Sequence, residues 1–187
     1  MPSVSLQQWR TDRMLSLQEI DTQCATSLAL APPNPRLSEE NLRGYIVLLS
    51  AHFQGFCRDL YTECAQIVAA TLPFPLQVVA QTQFTASLAL DRGNPNRNSI
   101  EKDFDRFGTP LDLNAADPAN HARLIDLGTL NQWRNVVAHH NVVPPGGLPS
   151  QADLQRWRNS CDGLATSVDG IMYNELQRIV ATAPWVP

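Results

Sequence analysis

YIVLLSAHFQGFCRDLY, residues 45–61, is the stretch that decides the fold. Ile46, Leu49, Phe53, Phe56 and Leu60 follow one another at steps of three or four, and the series extends back to Leu42 and on to Cys64 and Ile67. That spacing lays a single apolar stripe along a helix. Ser38 reads as its N-cap, with Glu39 and Glu40 in the first turn. LPFP at 72–75 breaks it, so the predicted helix runs from 38 to about 70.

Other helical segments flank this one. Residues 3–30 carry Leu6, Trp9, Arg13, Leu17 and Ile20 at helical spacing and end at PPNP, 32–35. Weaker helices are predicted at 76–91 and from Ser99 to Phe107. RGNPNRN (92–98) and GTPLDLNAAD (108–117) read as loops. Asp117 followed by Pro118 signals a helix start, and that helix is expected to reach His140. PPGG at 144–147 stops it. Ser150 with Asp153 forms a capping pair for a last helix to about Ala181. No strand pattern, internal repeat or low-complexity tract stands out. The expected fold is all-α, with four main helices near 3–30, 38–70, 118–140 and 150–181.

Composition bounds the function. The chain has 187 residues, 43% of them hydrophobic, enough for a real core. A net charge of −4 argues against a protein that is basic overall, while leaving room for a local basic patch. Cys24, Cys57, Cys64 and Cys161 form no CxxC pair and no cluster of zinc spacing, so no metal site is expected. Cys57 and Cys64 fall at core positions of the helical pattern, and free thiols fit a reducing cytosol. With no signal-peptide pattern and no apolar run near ~20 residues, a cytoplasmic protein is expected, with no membrane partner.

The chemistry lies in LNQWRNVVAHHN, residues 130–141. At about 100° per residue, Leu124, Leu127, Leu130, Val137 and Ala138 share one broad stripe, with Arg134 in its middle. Asn131, Asn135 and His139 form a polar row beside it. Ile125, Trp133 and Val136 make the other flank apolar, so the helix is expected to be largely enclosed, its polar row in need of partners. Arg134 and His139 lie about 140° apart, and an anion over Asn135 could be approached from both sides. A histidine at a helix C-terminus gains proton affinity from the macrodipole and suits acid–base work. An arginine can hold a phosphate and stabilise transition-state charge. Arginine plus histidine without a carboxylate cluster suits metal-independent RNA cleavage, with the substrate 2′-hydroxyl as nucleophile. The competing reading is structural, with Arg134 tied to a core carboxylate.

WRNVVAHHN resembles the R-x4-H motif of the HEPN superfamily, with Arg134, Asn135 and His139 matching the arginine, the polar residue after it and the histidine. Residues 45–61 resemble the long second helix of proteins near the RiboL-PSP-HEPN group, and IEKDFDRFG (100–108) resembles the connector before their motif helix. The resemblance spans roughly residues 36–182. It implies an all-α HEPN-like bundle over 36–187, with residues 1–35 as an N-terminal helix that either packs on the bundle or meets a partner. It also implies a homodimer through the motif helix, in which two motifs form one composite ribonuclease site. Many such proteins are toxins or anti-phage effectors that cut RNA, so RNA and an antitoxin protein are the partners implied. No cofactor is implied.

Two positions depart from the family pattern. Gln54 stands where related second helices often carry glutamate, and Asn141 stands where one toxin class has a modified tyrosine. Gln54 and the acidic balance keep a second reading open, a non-catalytic HEPN dimerisation or RNA-binding module. Asn131, His140 and Gln54 are supporting candidates, with His140 pointing about 100° away from His139. Trp133 reads as core or dimer interface, with base stacking as the sharper alternative. Arg58 and Asp59 read as a solvated surface pair. Arg92, Arg97, Lys102 and Arg106 bring positive charge to the middle of the chain, and Asp91, Glu101, Asp103 and Asp105 offset it.

Overall fold

The structure is a computed structural model that describes residues 2–30, 34–139 and 147–185. Among them there is no strand. The long helix is α3 (Pro35–Ala70), preceded by α1 (Val4–Gln8), a π turn (Trp9–Arg13) and α2 (Met14–Ala29). After α3 come α4 (Phe74–Thr85), a 3-10 turn (Ala89–Asp91), α5 (Arg97–Phe104), a second 3-10 turn (Asp105–Phe107) and α6 (Leu113–Ala116). The chain then forms α7 (Asn120–Ala138) and α8 (Gln151–Val180). No helix of the described residues is long and apolar enough to cross a membrane.

Helix α3 is the hub. It packs against α2, α4, α7 and α8, and α7 lies along α8. The stripe read from the sequence is its buried face, since Ile46, Leu49, Phe53, Phe56, Leu60 and Cys64 are all fully buried. All four cysteines are buried and free. Burial among apolar side chains pushes the Cys57 and Cys64 thiols far up, as expected of inert core residues.

The N-terminal helix joins the same core through Leu6, Trp9 and Leu17. Its π turn absorbs one extra residue, which keeps Trp9 and Leu17 both at 0% exposure although they are eight apart. Trp9 packs edge-on to Phe53, with ring centres 5.9 Å apart, and its indole N–H donates to Asp162 at 3.0 Å. Glu63 accepts the Val4 and Ser5 amides, and Asp169 accepts that of Ser3.

Several predicted boundaries shift. Ser38 is not the cap of α3. The Asn34 side chain accepts the Leu37 amide at 3.1 Å and Pro35 takes the first helical position, leaving Ser38 buried one turn in. Asn-Pro offers both a cap oxygen and a pre-set φ, so it outcompetes the later serine. The 76–91 helix is α4 followed by a separate 3-10 turn. The loop before Asp117 holds α6, capped by Asp112, which accepts the Asn114 and Ala115 amides. Helix α7 starts at Asn120 with Ala119 as its N-cap and no side-chain cap, and Asp117 instead accepts the Ala119 amide at 2.9 Å in the turn ahead of the helix. Ser150 and Asp153 form the predicted capping box of α8. Arg58 and Asp59 are not paired with each other, because Arg58 reaches Asp91 at 2.7 Å and Asp59 holds Arg13.

Candidate functional site

The site forms where α3, α7 and the segment from Phe84 to Asn98 meet. Three side chains fasten that segment from below. Arg106 donates to the carbonyls of Phe84, Ala86 and Ser87. Asp103, with no exposed surface, accepts the Ala89 and Leu90 amides at 3.0 and 2.8 Å. Gln54 on α3 donates through Nε2 to the Leu90 carbonyl at 2.7 Å and the Gly93 carbonyl at 2.8 Å. Both bonds need an N–H donor, which an ionised glutamate lacks. The amide at position 54 therefore has a local structural reason.

The fastened loop then meets the motif helix. Asn131 is buried, donating to the Pro95 carbonyl at 2.7 Å and lying 3.4 Å from the Ser50 hydroxyl. One turn on, Asn135 Oδ1 accepts from Asn94 Nδ2 at 3.0 Å and from Arg134 Nη1 at 3.3 Å. The lower part of the polar row is thus satisfied within one chain.

The expected enclosure of α7 holds only on one side. Leu127 and Leu130 are buried, and Leu124, Trp133 and Val137 pack partly against the core. Ile125 is 59% exposed, and Asn135, Ala138 and His139 face solvent. Arg134 is half-buried. Among the described residues no carboxylate lies within 4.0 Å of its guanidinium. His139 is the C-cap of α7, with φ −102° and ψ 12°, so its side chain leaves the projection used for the helix body. Its amide donates back to the Asn135 carbonyl at 3.1 Å. His140 and Asn141 lie outside the described residues.

A cleft of about 690 Å³ opens beside Asn131 and Asn135, walled by the Asn94 loop and the first turn of α5. Arg92 and Lys102 line it. By sequence, residues 92–98 read only as a loop. The available signal was its run of amides at Asn94, Asn96 and Asn98, too many polar groups for a plain turn. Among the described residues no group of three or more His, Cys, Asp or Glu is arranged to hold a metal ion.

A family model described as RiboL-PSP-HEPN matches residues 8–174. The matched span includes Gln54, the fastened loop, Asn131, Arg134, Asn135 and His139, and it starts upstream of the long helix, within the N-terminal one. No curated protein and no solved structure matches the chain.

Proposed function

The chain belongs to the RiboL-PSP-HEPN family, and from that membership we propose that it is a metal-independent endoribonuclease acting as a homodimer. The observation that carries this reading is Arg134. It is a half-buried cation with no carboxylate within reach among the described residues, held by an amide and followed by a solvent-facing His139. A half-buried guanidinium without an anion is costly for a purely structural residue, and a substrate phosphate supplies the missing charge.

In this mechanism two motif helices meet about a two-fold axis, and their Arg134 and His139 side chains border one groove. Arg134 binds the scissile phosphate and stabilises charge on its non-bridging oxygens. His139 takes the proton from the 2′-hydroxyl or delivers one to the departing 5′-oxygen. The 2′-oxygen forms a bond to phosphorus as the bond to the 5′-oxygen breaks. The products are a 2′,3′-cyclic phosphate, opening to a 3′-phosphate, and a 5′-hydroxyl end. Asn135 orients Arg134 from the side.

The test is cleavage of RNA in EDTA by wild type, Arg134→Ala and His139→Ala. Wild-type activity and a loss of about a hundredfold or more in each variant are expected. Equal activity in all three sinks the reading. In the role of a toxin or anti-phage effector, the wild type slows bacterial growth on expression and the two variants do not.

A second reading, a non-catalytic dimerisation or RNA-binding module, is favoured by Gln54, whose amide serves the loop rather than a reacting group. It predicts RNA binding without cleavage in the same assay.

A further inference from the structure

The acids and bases of the middle region sort themselves once each is given its partner. Asp91 is taken by Arg58, Glu101 by Arg97 at 2.7 Å, Asp103 by backbone amides and by Arg106 at 3.7 Å, and Asp105 by the Leu111 amide at 2.6 Å. Arg106 is spent on three carbonyls. Arg92 and Lys102 have no carboxylate within 4.0 Å among the described residues, and both are exposed at the wall of the cleft beside Asn135. Of the chain's 14 Lys and Arg residues, only Arg36, Arg92, Lys102 and Arg134 share that state among the described residues. Two of these four line the one cleft, and Arg134 adjoins it through Asn135. Positive charge is thereby concentrated at one place on a protein of net charge −4.

The polar lining adds a second feature. Asn94, Asn98 and Asn135 line the cleft with amide side chains that are half-buried or exposed, while Asn131 and Ser99 are buried behind them and bonded to Pro95 and Asn96. Side-chain amides reach the Watson–Crick edges of RNA bases only where those edges are unpaired. The N-terminal end of α5 also faces this space through Asn98 and Ser99, and its dipole favours an anion.

We propose that the cleft between the Asn94 loop, α5 and the motif helix holds a single-stranded segment of the RNA next to the scissile phosphate, with Arg92 and Lys102 binding its backbone phosphates. This rests on the reading of Arg134 and His139 as a site that engages RNA. It adds the path of the strand and assigns two residues to it.

The experiment measures binding of a fluorescent, fully 2′-O-methylated single-stranded RNA to the full chain across a salt series. The 2′-O-methyl groups remove the nucleophile, so binding is read apart from cleavage. Wild type is compared with Arg92→Ser/Lys102→Ser and with Arg36→Ser, an exposed, unpaired cation at the start of α3 that lies outside the cleft lining. The double variant is expected to bind at least about tenfold more weakly at low salt, and its log–log salt slope to fall by about 1.4, at about 0.7 per phosphate contact. Arg36→Ser is expected to match wild type. An unchanged affinity and slope in the double variant overturns the proposal. So does an equal loss in Arg36→Ser, which reduces the effect to net charge. A duplex of the same length that binds as tightly and with the same dependence on Arg92 and Lys102 overturns the single-strand assignment. Failure of wild type to cleave natural RNA, with the slope difference intact, refutes the ribonuclease reading alone. Cleavage that depends on Arg134, with no slope difference, refutes the groove alone.

Discussion

Asn94 and Asn135 are joined by a 3.0 Å hydrogen bond to the same oxygen that accepts Arg134. One carboxamide thus ties a loop of the connector to the arginine of the motif helix. Converting that oxygen to a carboxylate gives Arg134 a permanent counter-ion in place of a phosphate. Asn135→Asp is expected to lower the single-turnover rate of RNA cleavage by about a hundredfold while leaving the thermal midpoint within a few degrees of wild type. A wild-type rate in that variant removes Arg134 from phosphate binding.

Gln54 tests the fastening of the loop from the opposite helix. Gln54→Glu places a carboxylate against two carbonyl oxygens and removes both donors. The expected loss is about 1–3 kcal/mol by denaturant unfolding, the range for leaving buried polar groups without partners. Protonation of the glutamate restores one donor, so the deficit shrinks in acid. A variant as stable as wild type at neutral pH contradicts the role given to the Nε2 donor.

Gly55 has a structural reason in a neighbour. A Cβ there runs into the Arg13 guanidinium, which also holds the His52 carbonyl at 2.6 Å and Asp59. In wild type, Gly55→Ala is expected to destabilise by displacing Arg13. In an Arg13→Ala background the same change is expected to stabilise by up to about 1 kcal/mol, the ordinary gain of alanine over glycine inside a helix. The reversal of sign is the readout. Equal effects in both backgrounds remove Arg13 as the cause.

His52 supplies a pH dependence. Burial, reinforced by the Arg13 charge, holds its imidazole below the usual 6.5, and its Nε2 is buried with no hydrogen-bond partner among the described residues. The unfolded chain therefore takes up this proton at a higher pH than the folded one. Above about 6.5 neither state carries it. As pH falls through 6.5, stability drops, and the drop ends once the folded imidazole also titrates. His52→Gln is expected to flatten this part of a curve of thermal midpoint against pH. An unchanged curve assigns the acid sensitivity elsewhere.

Much of this molecule is legible in its sequence because one helix dominates it. Ile46 to Cys64 fix the buried face of α3 by spacing alone, and Ser150 with Asp153 fixes the start of α8. The π turn at Trp9–Arg13 was not legible, since periodicity at 3.6 residues per turn cannot register a wider turn. The Arg134, Asn135 and His139 group was found by pattern, but its surroundings were not. Asn131 and Asn135 meet Pro95 and Asn94 some 36 and 41 residues away, and no spacing rule carries that distance. The arrangement of charge in the connector was out of reach for a related reason. A count of acids against bases does not show that Arg58, Arg97 and Arg106 take Asp91, Glu101 and Asp103, leaving Arg92 and Lys102 without a carboxylate within 4.0 Å among the described residues.

The N-terminal helix is held at both ends by residues made much later. Glu63 can accept Val4 and Ser5 as soon as α3 exists. The Ser3 amide and the Trp9 indole wait for Asp169 and Asp162 on the last helix, 166 and 153 residues on. On a ribosome, then, this helix emerges well before the partners that hold it, and until α8 arrives Trp9 has only part of its cover.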